Sequence, residues 1–339
     1  MKRPLRYGRG SWALLLCALP ALAQIDGTVT NATTGKPQAG VQVELIHPGE
    51  NGMQTLATTK TGADGSFKID KPLPPPPALL RATYQDVEYN QVVPPGTPSN
   101  GIKLSVYEAT NKTSPQLAQQ HLIVVEPADD ALRISETFLV QNSGNTTFSD
   151  AQKGSIQFYL PKAAAASAKV TISAPNGMPI TRAPEKAQQA DVYKESYPIK
   201  PGQTEYDVSY ALPPAIQFTQ KALGPGPAII VCAESVKLSG PGLKDEGIKQ
   251  LGQGGPRAHV YTVSAAPGAS YEVGVEGVGS LQTQQESASS SSSDSQEDGG
   301  SPKPQAGEAR IYERLPWVLG LAFGILALGG TLLYRRSSA

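Results

Sequence analysis

The sequence predicts an all-β protein of two β-sandwich domains with one transmembrane helix near the C-terminal end. Three observations carry that expectation. Short runs of alternating apolar and polar residues recur from Ile25 to Val275, separated by Gly, Pro, Asn and Asp turns, which is the rhythm of sandwich strands. Leu315 to Tyr334 holds 20 residues without a charge, enough at about 1.5 Å per residue to cross a hydrocarbon core of about 30 Å. Lys2, Arg3, Arg6 and Arg9 precede the apolar run Trp12 to Leu19 and the triplet Ala21-Leu22-Ala23, the layout of a cleaved export signal.

Taken in order, residues 1–23 form the signal peptide, and the mature chain starts at Gln24. Cys17 lies inside that signal behind Leu14-Leu15-Leu16, a setting too bulky for lipid attachment. Only Cys232 then remains, so no intramolecular disulfide is available and the fold rests on its core. The full chain has a formal charge of zero, and losing four basic residues with the signal leaves 25 basic against 29 acidic side chains. No basic run with interleaved aromatics occurs. Nucleic acid is thereby set aside as a partner.

Residues 24–108 form the first sandwich. Its runs are Ile25 to Thr30, Val41 to Ile46, Gln54 to Thr59, Ser66 to Asp70, Leu79 to Tyr84, Val87 to Val93 and Ile102 to Tyr107. Val41, Val43 and Leu45 alternate with Gln42 and Glu44, which gives one core face and one wet face. Asp64-Gly65 is a tight-turn pair, after which Phe67 and Ile69 return to the core. The proline clusters Pro74 to Pro77 and Pro94-Pro95 read as rigid connections between strands.

Three blocks open this domain: Gly27-Thr28-Val29, Thr34-Gly35-Lys36-Pro37 and Gly40-Val41-Gln42-Val43. A fourth, Thr61-Gly62-Ala63-Asp64-Gly65-Ser66-Phe67-Lys68-Ile69, completes the pattern. Together they resemble the carboxypeptidase regulatory-like domain, a prealbumin-like (transthyretin-like) sandwich, here in a chain of bacterial exported style. The resemblance implies that fold for about a quarter of the chain. It implies no activity, because the same sandwich accompanies many functions.

Residues 109–118 read as a polar hinge, and residues 119–279 as a second sandwich of Ig-like character. Leu132, Ile134, Phe138 and Val140 alternate with polar residues, as do Ile156, Phe158 and Leu160, then Val170 and Ile172, then Tyr206, Val208 and Tyr210. Further strands are expected at Ala228 to Ser235, His259 to Ala265 and Tyr271 to Val275. Ala163 to Ala168 suggests a helical turn, and the Gly-rich stretch Ser239 to Pro256 a long loop. Residues 280–310 are Ser-rich and acidic, the composition of a disordered tether with a reach of roughly 30 Å. Arg335 and Arg336 follow the span at 315–334. The tail 335–339 is then cytoplasmic, and the ectodomain is exported from the cell (inner) membrane. Gly320 and Gly324 set a small-xxx-small spacing that permits homodimer formation through the helix.

The residues with reactive chemistry assemble no expected site. His47 and Glu50 fit H-x-x-E, but Pro48-Gly49 is a loop tip without a third ligand. His121 and His259 have no ligand spacing around them. Cys232 could pair with His259, yet it follows Ile229-Ile230-Val231 in an apolar strand, the setting of a buried inert thiol. The expectation is no catalytic residue, no metal and no cofactor. What remains is an anchored module that presents its sandwiches to an envelope protein partner. The alternative is carbohydrate binding, with Tyr84, Tyr89 and Tyr107 as aromatic platforms. A third reading is an accessory subunit of an envelope enzyme or transport complex.

Overall fold

In the computed structural model the described residues are 24–49, 52–175, 177–224, 226–252 and 255–281. The export signal, Glu50, the tether beyond Leu281, the span with Gly320 and Gly324, and the tail lie outside them. All regular structure among the described residues is β, and none of it is a helix long and apolar enough to cross a membrane. The chain divides into two units between Val106 and Tyr107.

The first unit contains β1 (Ile25–Asn31), β2 (Lys36–Pro37), β3 (Gln42–Gly49), β4 (Gly52–Lys60), β5 (Ser66–Ile69), β6 (Ala78–Tyr84), β7 (Val87–Val93) and β8 (Ile102–Val106). One sheet has the order β4-β3-β6-β7. In the other, β1 pairs antiparallel with β2 and β5, and parallel with β8. Each expected run forms a strand, and β2 is added. Val43 and Leu45 on β3, Leu80 and Ala82 on β6, and Ile25 and Val29 on β1 are all buried, as the alternation requires. The turn expected at Asp64-Gly65 is present, with Ser66 N–H donating to Asp64 Oδ1 at 3.1 Å.

The second unit contains β9 (Ala109–Thr110), β10 (Leu117–Pro127), β11 (Leu132–Asn142), β12 (Thr147–Phe148), β13 (Ile156–Tyr159), β14 (Lys169–Ser173), β15 (Ile180–Arg182) and β16 (Glu185–Lys186). It continues with β17 (Val192–Glu195), β18 (Gly202–Leu212), β19 (Gln217–Lys221), β20 (Ala228–Ala233), β21 (Lys237–Ser239), β22 (Leu243–Gln250), β23 (Arg257–Val263) and β24 (Ser270–Glu276). An eight-stranded sheet runs β15-β14-β18-β11-β10-β20-β23-β22. Its one parallel junction is β10 with β20. Two three-stranded sheets, β13-β17-β16 and β19-β24-β21, complete the sandwich. Inward residues of all three sheets share one hydrophobic core, including Ile123, Phe138, Phe158, Tyr193, Phe218, Ile230 and Val273.

Two details depart from the sequence expectation, and a third agrees with it. The span 109–118 holds β9 and the first residues of β10, and β9 pairs with β12. The helical turn expected at Ala163 to Ala168 is present, with Ser167 and Ala168 N–H groups both donating to Ala164 O. The stretch Ser239 to Pro256 contains the edge strand β22, paired to β23 with a bulge between Asp245 and Ile248. An edge strand with polar residues on both faces carries no alternation for a sequence pattern to detect.

Candidate functional site

β11 places Leu132, Ile134, Phe138 and Val140 in the core, and Glu136 shares their parity. Its side chain is 1% exposed. A carboxylate there requires donors on both oxygens. Oε2 accepts from His121 Nε2 at 2.8 Å. Oε1 accepts from Tyr210 OH at 2.8 Å and from Gln220 Nε2 at 2.7 Å. The His121 ring stacks on Phe138 with centroids 4.2 Å apart. His121, Glu136 and Tyr210 belong to the eight-stranded sheet and Gln220 to the facing sheet, so one carboxylate clasps the two layers. Burial, and then the Glu136 charge, push the Tyr210 and Tyr271 hydroxyls well above the usual phenol range.

Beside His121 lies a cavity of about 20 Å³ bordered by Gln119, Gly224, Ala228 and Tyr271, room for about one water. Gln119 and the neighbouring Leu223 also border a cleft of about 530 Å³, a size typical of ligand sites. A Cβ on Gly224 would fall 2.7 Å from Gln119 Nε2, so the missing side chain leaves the amide its place between the two spaces.

Asn111, Lys112 and Thr113 supply one stretch of the cleft, and Asp150, Lys153 and Gln157 another. The second stretch is braced. Asp150 Oδ1 accepts from the N–H groups of Gln152 and Lys153 at 2.9 Å each, and Lys194 Nζ donates to Ala151 O at 2.7 Å. Gly154 closes the turn at φ +83°, where a Cβ would lie 2.8 Å from Lys194 Cβ. Among the described residues, the side chains of Asn111, Lys112, Thr113 and Lys153 donate or accept no hydrogen bond, and neither lysine forms an ion pair.

The tyrosines expected as platforms are differently placed. Tyr89 is only 7% exposed, and the pairings Ala82 with Tyr89 and Tyr84 with Val87 put Tyr84, which is half-buried, on the same inner face. Tyr107 falls in the other unit. Tyr89 is a core residue and offers no open ring to a sugar. His47 Nδ1 lies 3.1 Å from Pro77 O, and no cluster of three or more His, Cys, Asp or Glu side chains suited to a metal occurs among the described residues.

His259 bonds Asp245 Oδ1 through Nε2 at 2.8 Å and meets Tyr261 OH through Nδ1 at 3.1 Å. Cys232 Sγ faces the carbonyls of Val236 and His259. Burial, helped by the Asp245 charge, pushes its thiol up to about 12. Such a thiol stays protonated at neutral pH and is a poor nucleophile.

A carboxylate pair lies on the face of β18 opposite Tyr210. Asp207 accepts from Thr137 Oγ1 at 2.7 Å. Burial and then the Asp207 charge raise Glu205 to about 8.

No protein-family model matches the chain, and no curated protein matches it. Among solved structures, it is similar to an M1 zinc metallopeptidase from Deinococcus radiodurans at 12% identity and a TM-score of 0.22, covering 47% of this chain and 42% of that one. It is also similar to the major pilin subunit BcpA of Bacillus cereus at 13% identity and a TM-score of 0.19, covering 75% of this chain and 87% of that one. Likenesses at these scores carry no argument about function.

Proposed function

We propose that the protein is an exported, membrane-anchored binding and scaffolding module that engages its envelope partner through the cleft of the second unit. In this reading the first unit is a carboxypeptidase regulatory-like, prealbumin-like sandwich and the second an Ig-like one. Residues 315–334 anchor the chain and the Ser-rich stretch gives it reach. The observation that carries the proposal is a contrast in partners. His121, Glu136 and His259 are bonded within the fold, while Lys112, Lys153, Asn111 and Thr113 border open space with none. Groups of that kind hold a ligand by charge and hydrogen bonds.

The test is site-directed photocrosslinking of the full chain in its native cells. A photoreactive residue at Gln157, in the cleft, should give a discrete adduct, and one at the exposed Glu272 on β24 should not. Equal labelling at both positions, or none at Gln157, would remove the cleft from the proposal. The anchor is checked separately: protease added to spheroplasts should leave a membrane fragment near residues 308–339, and full protection of the ectodomain would reverse the orientation.

A further inference from the structure

We infer that the ligand of this cleft is a carboxylate-bearing oligosaccharide of the uronate type, an inference that rests on the binding reading above. Charge gives the first argument. Lys112 and Lys153 enter the lining from two separate segments, and among the described residues Asp150 is the only carboxylate there. The Asp150 carboxylate already accepts two backbone N–H groups. Two ammonium groups against one committed carboxylate favour an anionic guest.

Hydrogen bonding gives the second. Asn111 and Gln119 each carry an amide, which donates and accepts at once, Gln157 keeps its amide oxygen while its Nε2 donates to Lys153 O at 2.9 Å, and Thr113 adds a hydroxyl. Sugar hydroxyls need partners of both kinds. A peptide would need an apolar anchor pocket as well. The apolar lining cannot supply one, because Phe148 and Ile156 are spent in the core at 7% and 3% exposure and Leu223 is half-buried. The braced turn at 150–154 holds Lys153 on a stiff frame, which lowers the ordering cost on binding.

The experiment titrates the full chain in lipid nanodiscs with a panel of uronate tetrasaccharides, their methyl esters and a Glu-rich peptide. The ester keeps every hydroxyl and removes the charge. Binding of a uronate should be about tenfold tighter than that of its ester, and the K112Q/K153Q double variant should erase this difference, as expected of two exposed ion pairs. Ester binding equal to the acid would overturn the charge argument. Binding of the peptide with no uronate bound, while the Gln157 adduct persists, would leave the scaffold reading standing and defeat the saccharide. Loss of both the adduct and all binding would defeat the two together.

Discussion

The cluster around Glu136 and the cleft beyond Gln119 are made of similar side chains and stand in opposite conditions. His121 and Gln119 are two residues apart on β10, one bordering each region. In the cluster, both carboxylate oxygens have donors, drawn from both layers of the sandwich. In the cleft, the side chains of Lys112, Lys153, Asn111 and Thr113 have no partner among the described residues. The contrast teaches that polarity alone does not mark a site. Polar groups satisfied inside a core hold the fold together, and polar groups without a protein partner at a concave surface are available to something else.

The sharpest way to break the comparison is Glu136→Ala. It strips the acceptor from His121, Tyr210 and Gln220 inside the core, and the expected loss is about 3–5 kcal/mol of unfolding free energy, read by urea denaturation of the second unit's transition. A loss under about 1 kcal/mol would mean the carboxylate is no clasp. Gly154→Ala should cost about 1–2 kcal/mol, because a side chain is forced into the left-handed region beside Lys194. It should also weaken cleft binding by shifting Lys153. Normal affinity in that variant would detach the turn from the site.

A smaller effect is expected from pH. Glu205 is raised from its ordinary 4.5 to about 8, so the folded state holds this proton more tightly than the unfolded chain does. Its stabilising contribution is complete below 4.5 and is lost as pH rises through about 8. The melting temperature should fall across that interval, and Glu205→Gln should flatten the profile. An unchanged slope in the variant would place the titration elsewhere. Smallest of all, the exposed pair Lys112→Gln and Lys153→Gln should change stability by no more than about 0.5 kcal/mol while binding falls. Destabilisation well beyond that would make those lysines structural and end the contrast.

The first unit was legible because most of its strands write their own pattern. Val43 and Leu45 alternate on β3 with polar neighbours, and Asp64-Gly65 marks a turn without help from distant residues. The second unit hides more. β22 is an edge strand with charges at Lys244, Asp245, Glu246 and Lys249, and reads as loop because neither face is fully apolar. The Glu136 cluster joins residues up to 84 positions apart, a separation no local pattern spans. One signal was present: a carboxylate on the parity of Leu132, Ile134, Phe138 and Val140 demands donors from somewhere. The cleft needed three loops brought together, and nothing in their spacing foretells it. Tyr89 misled because a strand aromatic looks alike whether its ring is packed or open, and only the pairing of β6 with β7 tells which.

The last described residues have a mechanical consequence. Gly279 N–H donates to Pro127 O at 3.0 Å, and Ser280 Oγ and Leu281 N–H donate to Glu126 Oε1 at 2.7 and 3.1 Å. A pull on the chain beyond Leu281 therefore arrives first at the end of β10. That strand is gripped by β11 along its full length on one side and by β20 on the other. Once those three hydrogen bonds break, the load passes along the backbone to β24, the middle strand between β19 and β21. Both of those ladders hold β24, so the strand next in line is no free edge.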